Sequence, residues 1–332
     1  MSCHEKNGPV VRPLVSIVAP VYNEEAVIGE FIRRSLNVAD SLEQRYRFEL
    51  VLVDDGSSDR SFELMQQEAG ADPRVRLVEL MRNYGQTPAL QAGLDRAVGD
   101  IVVTMDSDLQ HFPEEIPAFL EKLEHGFDVV CGWRHQRAEG VLRRWPSRLA
   151  NLVIARIARL PLHDFGTTFR ACRKQAVDDI RLFGEFHRFV PVLLRNAGGR
   201  VTEIPIKNIV RPAGASNYGL GRTVGVLLDL FVLYFFTHYL DRPMRAFGKL
   251  ALVAFTAGST VLGVMIAIAY RYGLPMFRDH PGWFILGSML ELAGFQLLLV
   301  GILAEILIRI HYEHGDRRVY RVRQEWTGAT RS

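Results

Sequence analysis

Two long uncharged stretches near the C-terminus restrict the architecture of this chain more than any other feature. Leu250–Tyr270 contains no charged residue, and Trp283–Ala304 is interrupted only by Glu291. A helix needs about 20 apolar residues to cross the hydrocarbon core of a bilayer. Because the connecting segment Arg271–Gly282 is short and contains proline and glycine, we expect a hairpin of two transmembrane helices. A hairpin buried in a soluble core is the alternative interpretation.

The charges around this hairpin predict its orientation. Arginines follow the second stretch, at Arg309, Arg317, Arg318, Arg321 and Arg323, whereas the connecting segment contains only Arg271 and Arg278. Positive charge is enriched on the cytoplasmic side of membrane proteins, so both termini are expected in the cytoplasm. Residues 1–13 are polar and lack the apolar segment of a secretory signal peptide. We therefore predict a multi-pass protein of the cytoplasmic membrane, with its N-terminal domain in the cytoplasm.

Short β-rich runs alternate with amphipathic stretches in the first part of the chain. The predicted strands are Leu14–Ala19, Phe48–Val53, Val75–Leu80 and Ile101–Met105, and the predicted helices between them lie within Glu24–Glu43, Ser58–Ala69 and Gln86–Ala97. Right-handed crossovers of this kind give an open α/β domain with a parallel sheet. Ligands bind beyond the carboxyl ends of the strands in such sheets, so the turns that follow the strands are where chemistry is expected.

Two aspartates follow the fourth predicted strand directly. Asp106 and Asp108 are separated by one residue, and carboxylates in this arrangement can share a hard divalent cation. Mg²⁺ or Mn²⁺ at this position could neutralise the charge of a departing nucleotide diphosphate. An acidic pair can instead cap a helix, and a helix start is indicated near Pro113.

The first and second predicted strands also end in acidic segments. Pro20-Val21-Tyr22-Asn23-Glu24 follows the first strand, and Asp54-Asp55-Gly56-Ser57-Ser58-Asp59 follows the second. We expect these ends to converge with Asp106 and Asp108 on one edge of the sheet. A carboxylate there can accept hydrogen bonds from a base N–H group or from ribose hydroxyls. The alternative is that Asp55 and Ser57 form a turn and Ser58 caps a helix.

Basic residues are concentrated in one segment rather than spread over the surface. The chain has 40 lysines and arginines against 37 acidic residues, which gives a formal net charge of +3 and no general field that would attract nucleic acid. Trp133–Arg148 contains Arg134, Arg137, Arg143, Arg144 and Arg148. Guanidinium groups match the geometry of a phosphate monoester, so this segment predicts a phosphate-binding site. A basic face that docks on anionic lipid is the alternative.

The strings PVYNEE, VDDGSSD, LMRNYGQ, GDIVVTMDSDLQ and DFGTTFRA resemble family 2 glycosyltransferases of the polyprenyl-phosphate branch. The resemblance runs from about Val15 to Tyr218 and includes the paired C-terminal helices. Similar enzymes are dolichol-phosphate mannosyltransferases, prophage-type polyprenyl-phosphate glucosyltransferases and undecaprenyl-phosphate aminoarabinose transferases. The resemblance implies a GT-A (Rossmann-like) catalytic domain and a polyprenyl phosphate acceptor. It also implies a nucleotide-sugar donor, UDP- or GDP-linked, with UDP favoured by the bacterial members.

The resemblance also implies roles for individual residues. It assigns the nucleoside to Pro20, Tyr22, Glu24, Asp54 and Asp55, and the metal to Asp106, Asp108 and Gln110. It assigns the donor diphosphate to Arg211, and the acceptor phosphate to Arg134, Arg143, Ser147 and Arg148. Asp164 and Arg170 are expected near the sugar, or paired with each other.

The predicted chemistry needs no general base. A polyprenyl phosphate is already an anion near neutral pH and can attack the anomeric carbon directly, which would invert that centre. A processive polysaccharide synthase shares the domain, but it needs more membrane spans and a Q/R-x-x-R-W motif, and Val141 occupies the first position of that motif here. A membrane scaffold without turnover is the non-enzymatic alternative.

These inferences divide the chain into five segments. They are an N-terminal tail (1–13), the catalytic domain (14–219), juxtamembrane interfacial helices (220–247), two transmembrane helices (248–308, at about 250–270 and 283–306) and a basic cytoplasmic tail (309–332). Thr223–Tyr239 is expected to lie on the bilayer or to pack on the catalytic domain. Glu291 should contact the other helix, a neighbouring subunit or a lipid headgroup, and with Gly294 and Gln296 it would suit a homo-oligomer.

Overall fold

The computed structural model describes residues 12–135, 155–156, 160–178, 182, 189–196, 198–207, 243–273, 275–313, 321–327 and 330–331. The chain divides into two compact units. The first contains Met1–Leu230 together with Arg318–Ser332, and the second is Phe231–Arg317. The predicted interfacial segment Thr223–Tyr239 lies outside the described residues.

The first unit is built on one mixed sheet. Its strands are β1 Leu14–Val21, β2 Arg47–Asp54, β3 Val75–Leu80, β4 Ile101–Thr104, β5 Val129–Arg134, β6 Arg170–Arg173, β7 Val201–Ile206, β8 Val322–Thr327 and β9 Thr330–Arg331. They are arranged in the order β7-β5-β6-β4-β1-β2-β3-β8-β9. The four strands predicted from the sequence are present, and β4, β1, β2 and β3 are adjacent and parallel. The α/β prediction is confirmed for this part of the sheet.

The prediction of a purely parallel sheet is wrong at two positions. β6 pairs antiparallel with both β4 and β5, and β8 pairs antiparallel with β3. Neither segment has a marked apolar pattern: β6 is the four-residue RACR, and β8 reads VRQEWT. β6 is only four residues long and β8 leaves polar side chains exposed, so neither has the continuous apolar run of a buried parallel strand.

The helices of the first unit pack their apolar side chains on this sheet. They are α1 Ile28–Ser41, α2 Ser61–Ala71, α3 Gln86–Leu94, α4 Ile116–Glu124, α5 Lys174–Val177 and α6 Val190–Asn196. α1 shows the expected helical spacing, because Ile28, Phe31, Ile32, Ser35, Val38 and Ala39 are buried along one face. In α4, the ring of Phe119 stacks on Phe169 with a centroid separation of 4.3 Å. Burying each aromatic or aliphatic side chain contributes about 1.5–3 kcal/mol, which holds the helices against the sheet.

The C-terminal segment of the chain contributes strands to the sheet of the first unit. Residues 309–332 were predicted to form a basic tail, but β8 within that segment extends the sheet beyond β3. Trp326 packs against the buried core, and Glu325 forms an ion pair with Arg96. The sequence analysis did not predict this strand, because VRQEWT lacks an apolar run and the charge of the segment was used only to predict bilayer topology.

The second unit contains the predicted pair of long apolar helices. α7 is Met244–Tyr272, α8 is the short Met276–Asp279, and α9 is Pro281–Glu313. Met244–Tyr272 and Pro281–Leu307 are long and apolar enough to cross a membrane, and only 17% and 11% of their most apolar windows are buried. A hairpin in a soluble core would be mostly buried, so the exposure favours membrane spans over that alternative.

Glu291 is engaged within the hairpin. Ser259 Oγ on α7 donates a hydrogen bond of 2.6 Å to Glu291 Oε1 on α9. The helices approach closely at this level, since a Cβ added to Gly258 would lie 2.9 Å from the carbonyl oxygen of Gly287. Of the three expected environments for Glu291, the structure therefore shows contact with the other helix of the same hairpin.

Ser259→Ala is expected to lower the thermal unfolding midpoint of the detergent-solubilised protein. It removes an interhelical hydrogen bond, which is worth about 0.6 kcal/mol on average between membrane helices and up to about 1.7 kcal/mol. Thr260→Ala is the matched control, because Thr260 Oγ1 donates only to the carbonyl oxygen of Thr256 on its own helix. Equal midpoints for the two variants would contradict a stabilising role for the Ser259–Glu291 contact.

Candidate active site

The ends of three predicted strands meet at one edge of the sheet, as the sequence indicated. Val21, at the end of β1, is the register partner of Asp54 at the end of β2. Ser107, in the segment that follows β4, donates from Oγ to the carbonyl oxygen of Pro20 at 3.0 Å. The segments that follow β4, β1 and β2 are therefore neighbours, and the side chains predicted to bind a nucleotide and a metal lie at this edge.

The loops after β1 and β2 interlock through Asn23. Its backbone N–H donates to Ser57 Oγ at 3.0 Å, and its Oδ1 accepts from the backbone N–H of Ser58 at 2.8 Å. Asn23 adopts a left-handed backbone with φ of 55°, a conformation that asparagine tolerates better than most residues. Tyr22 precedes it and is 47% exposed, so this ring is open to a ligand at the sheet edge. Pro20 and Glu24 are half-buried beside it.

Asp54 is a buried carboxylate with one unused oxygen. Asp54 Oδ2 accepts from the backbone N–H groups of Gly56 and Ser57, both at 3.1 Å, whereas Oδ1 has no hydrogen-bond partner among the described residues. Burial raises the pKa of Asp54, and the hydrogen bonds from Ser57 oppose that effect. A buried acceptor without a partner is costly, so a ligand donor at Oδ1 would be favourable.

Asp55 has a structural role in the same turn. Its two oxygens accept from the backbone N–H groups of Tyr84 and Gly85, each at 2.8 Å. Burial raises the pKa of Asp55 against these hydrogen bonds. The carboxylate thus ties the end of β2 to the loop after β3, in line with the turn-forming role that the sequence left open for it.

Gly56 allows the loop after β2 to press against the loop after β3. Its φ is +69°, in the left-handed region, and a Cβ at this position would lie only 2.6 Å from the carbonyl carbon of Arg82. A side chain would therefore meet rigid backbone rather than a flexible neighbour. The close approach sets the position of the loop from which Tyr84 and Gly85 donate to Asp55.

The Asp106/Asp108 segment forms a tight turn at the end of β4. Both aspartates are half-buried. Asp108 Oδ1 accepts from the backbone N–H of Gln110 at 3.0 Å, and Leu109 between them has a left-handed φ of 56°. The helical turn that begins at Pro113 has no side-chain cap, so capping that helix, the alternative reading of this pair, is not observed.

Gln86 is a site residue that the sequence analysis missed. Gln86 Nε2, at the start of α3, donates to Asp106 Oδ1 at 2.8 Å. The residue lies within the string LMRNYGQ, which was noted only for its resemblance. Its position at the carboxyl edge of the sheet, directly after the β3 loop, was the available signal.

Asp106 also lies beside two arginines. Burial raises the pKa of Asp106, while the neighbouring cations of Arg134 and Arg170 and its hydrogen bonds oppose the shift. Arg134 donates from Nε to Asp164 Oδ2 at 2.6 Å and from Nη2 to Asp164 Oδ1 at 2.9 Å. Asp164 therefore makes a two-point ion pair with Arg134, which the sequence analysis did not suggest, and its charge also acts on Arg170. Arg170 is 1% exposed and donates to the carbonyl oxygen of Phe165 at 3.2 Å.

The residues at this edge fit a divalent cation that is coordinated partly by the protein and partly by a bound substrate. Two half-buried carboxylates and the nearby amide residue Gln110 supply the oxygen atoms that Mg²⁺ and Mn²⁺ prefer. Within the described part of the chain, no group of three or more His, Cys, Asp or Glu side chains could hold a metal ion. The donor set is thus incomplete without further oxygens, such as those of a diphosphate.

The remaining predicted site residues lie outside the described residues. They are Arg143, Ser147 and Arg148, predicted for the acceptor phosphate, and Arg211, predicted for the donor diphosphate. Arg134, predicted with the first group, is described and lies against Asp164.

Comparisons with known proteins agree with this site. The family model described as glycosyl transferase family 2 matches residues 16–181. The dodecaprenyl-phosphate galacturonate synthase of Rhizobium johnstonii is 36% identical over 96% of this chain and 94% of its own length. The undecaprenyl-phosphate 4-deoxy-4-formamido-L-arabinose transferase of Pseudomonas aeruginosa is 38% identical over 91% of this chain and 87% of its own.

Solved structures agree with the fold. Glucosyl-3-phosphoglycerate synthase from Mycobacterium tuberculosis, in complex with Mn²⁺, UDP and glucosyl-3-phosphoglycerate, matches with a TM-score of 0.52 at 19% identity, over 67% of this chain and 79% of that one. The mixed α/β sheet is that of a GT-A glycosyltransferase. The family match, the relatives that align over nearly the whole chain, and the acidic edge of the sheet together show that this chain is a glycosyltransferase and belongs to family 2.

Proposed function

We propose that this chain transfers a sugar from a nucleotide-diphosphate sugar to a polyprenyl phosphate, with inversion at the anomeric carbon. The reaction is placed at the cytoplasmic face of the membrane and depends on Mg²⁺ or Mn²⁺. The observation that carries the proposal is the alignment of this chain, over more than nine-tenths of its length, with two relatives whose names specify a dodecaprenyl or undecaprenyl phosphate. The two apolar helices supply the membrane attachment that a lipid acceptor requires.

The donor would bind along the acidic edge of the sheet. Asp54 offers its unpartnered Oδ1 to a donor group of the nucleoside, and the exposed ring of Tyr22 offers a stacking surface beside it. Asp106 and Asp108 would hold the metal ion together with Gln110 and the donor diphosphate. A metal ion bound there supplies positive charge that stabilises the diphosphate as it leaves. Arg211 is proposed to contact the same diphosphate.

The chain's residues position the reactants rather than remove a proton. The phosphate oxygen of the acceptor forms a bond to the anomeric carbon while the bond from that carbon to the diphosphate breaks, and the diphosphate leaves with the electron pair. The acceptor is already an anion, so no general base is assigned. Gln86 orients Asp106 through the 2.8 Å hydrogen bond, and Arg134 and Arg170 place positive charge next to it. Preorganised groups of this kind lower the barrier by alignment and electrostatic stabilisation.

A product screen tests the proposed reaction. Purified full-length protein is incubated with a panel of UDP- and GDP-sugars, undecaprenyl phosphate and Mn²⁺ or Mg²⁺. We expect one donor to give a polyprenyl-phosphate monosaccharide by mass spectrometry, with the opposite anomeric configuration to the donor. A polysaccharide product would favour a processive synthase, and the absence of product with every donor would favour a scaffold without turnover.

Arg143→Ala is expected to raise the KM for undecaprenyl phosphate by about tenfold or more while the KM for the donor changes little. The physical reason is the loss of a guanidinium proposed to pair with the acceptor phosphate, a contact of the kind that contributes about 1.5–3 kcal/mol. Initial rates with each substrate varied in turn measure the two constants. An equal rise in both constants would show that Arg143 does not act on the acceptor.

A further inference from the structure

The first residues of β8 lie at the same sheet edge as the candidate site. β8 runs antiparallel to β3, with Val322 opposite Leu80 at the carboxyl end of β3. The carbonyl oxygen of Arg321 accepts from the backbone N–H of Met81 at 3.0 Å. The register shifts between Glu79 and Leu80, so Arg323 is the extra residue of a β-bulge. Bulges next to active sites redirect a side chain, and here the redirected side chain is an arginine.

Arg323 makes two contacts at the end of β3. Its Nη1 donates to Glu79 Oε1 at 2.6 Å, and its Nη2 donates to the carbonyl oxygen of Met81 at 3.0 Å. Gln324 Nε2 donates to the second oxygen of Glu79 at 2.8 Å. Glu79 is only 7% exposed. A buried carboxylate needs a paired cation or several donors, and in this fold β8 supplies both.

Glu79 is the cross-strand neighbour of Asp54. The two residues are register partners in the parallel β2–β3 pair, so their side chains leave the sheet on the same face. Both are buried. Burial is the largest cause that raises the pKa of Asp54, and the charge of Glu79 adds to it. Without the guanidinium of Arg323, two buried carboxylates would face each other with less compensation.

Met81 connects this contact to the rest of the site. It begins the loop whose next residue, Arg82, packs against Gly56, and whose Tyr84 and Gly85 N–H groups donate to Asp55. The same loop ends at Gln86, which donates to Asp106. Fixing the carbonyl group of Met81 therefore fixes the first residue of a loop that contacts two of the predicted donor-site carboxylates, Asp55 and Asp106.

We propose that Arg323 is a positioning residue for the nucleotide end of the donor site, acting from the C-terminal strand through Glu79 on Asp54 and through Met81 on the Arg82–Gln86 loop. This inference rests on the proposed function, because it presumes that Asp54 binds the nucleoside of the donor. It adds a segment beyond the membrane helices to the set of residues that determine nucleotide affinity.

The test is nucleotide binding by the full-length protein in detergent. Calorimetry with UDP and with GDP, each in the presence of Mn²⁺, gives an affinity without turnover. Arg323→Ala is expected to weaken binding of the preferred nucleotide by about tenfold, equivalent to about 1.4 kcal/mol. Arg323→Lys keeps the charge but not the two-point geometry, so it should lose less affinity than the alanine variant.

Glu325→Gln is the matched control on the same strand. It breaks the ion pair between Glu325 and Arg96. Glu325 lies opposite Val78, in the interior of β3, rather than at the carboxyl end of that strand. Its nucleotide affinity should stay within about twofold of wild type, while its thermal unfolding midpoint should fall by as much as that of Arg323→Ala, since both remove one partly exposed ion pair. If both variants weaken nucleotide binding equally, the effect comes from a general destabilisation of β8, and the inference is overturned.

The double variant Arg323→Ala/Glu79→Gln isolates the charge effect. Removing the carboxylate that Arg323 compensates should restore nucleotide affinity to within about threefold of wild type. A double variant as weak as Arg323→Ala would overturn the role assigned to Glu79. If wild-type protein binds neither UDP nor GDP, the proposed function itself fails. If wild type binds and Arg323→Ala binds equally well, only the present inference fails.

Discussion

Asp108→Ala is expected to reduce sugar transfer by about 10²–10³-fold or more while the protein remains folded and bound to the membrane. The expectation follows from removing one of two carboxylates proposed to hold the metal ion, because loss of a single preorganised electrostatic group commonly costs that much in rate. Transfer is measured with the donor identified by the product screen, at saturating Mn²⁺ or Mg²⁺. The folded state is checked by the thermal unfolding midpoint.

Asp108→Asn separates the metal-binding role from the turn. Asp108 Oδ1 accepts a hydrogen bond from the backbone N–H of Gln110 at 3.0 Å, and an asparagine oxygen can accept the same bond. If the carboxylate only stabilises the turn, Asp108→Asn should retain activity. If it binds a metal ion, the asparagine variant should be nearly as inactive as the alanine variant. Full activity of Asp108→Asn would refute the metal assignment.

The parallel centre of the sheet could be predicted because its signal is local. β1, β2 and β3 are apolar runs bounded by polar turns, and each is followed by an amphipathic helix. Once the crossovers are right-handed, the acidic strand ends must share an edge. Asp106, Asp54 and Pro20 are therefore brought together by a pattern that is visible without coordinates.

What the sequence did not reveal depends on contacts between distant segments. β8 is more than 230 residues from β3 along the chain and has few apolar residues, so its pairing is decided by the open edge of β3 rather than by its own pattern. The partner of Asp164 was equally unpredictable. Arg134 reaches it from β5 across 30 positions, whereas the nearby Arg170 shares its sequence motif. Proximity in sequence pointed to Arg170 and gave no sign of the contact with Arg134.

Gly56→Ala is expected to lower the free energy of unfolding by about 2–5 kcal/mol, the sum of about 1–2 kcal/mol for a left-handed alanine and about 1–3 kcal/mol for steric overlap. The overlap arises because the new Cβ would lie 2.6 Å from the carbonyl carbon of Arg82 and 2.7 Å from the backbone nitrogen of Asn83. Backbone atoms on a loop held by Asp55 cannot move away without breaking its hydrogen bonds to Tyr84 and Gly85. Nucleotide binding should therefore weaken together with stability.

Gly198→Ala is the control that separates conformation from contact. Gly198 also has a positive φ, +96°, but a Cβ there would meet nothing within 4 Å. It should show only the conformational cost of about 1–2 kcal/mol and no change in UDP or GDP affinity. Thermal unfolding and calorimetry on the two variants give both quantities. Equal destabilisation by both substitutions would mean that the loops after β2 and β3 separate easily. Donor binding could then not depend on a rigid edge that positions Asp54, Asp55 and Gln86.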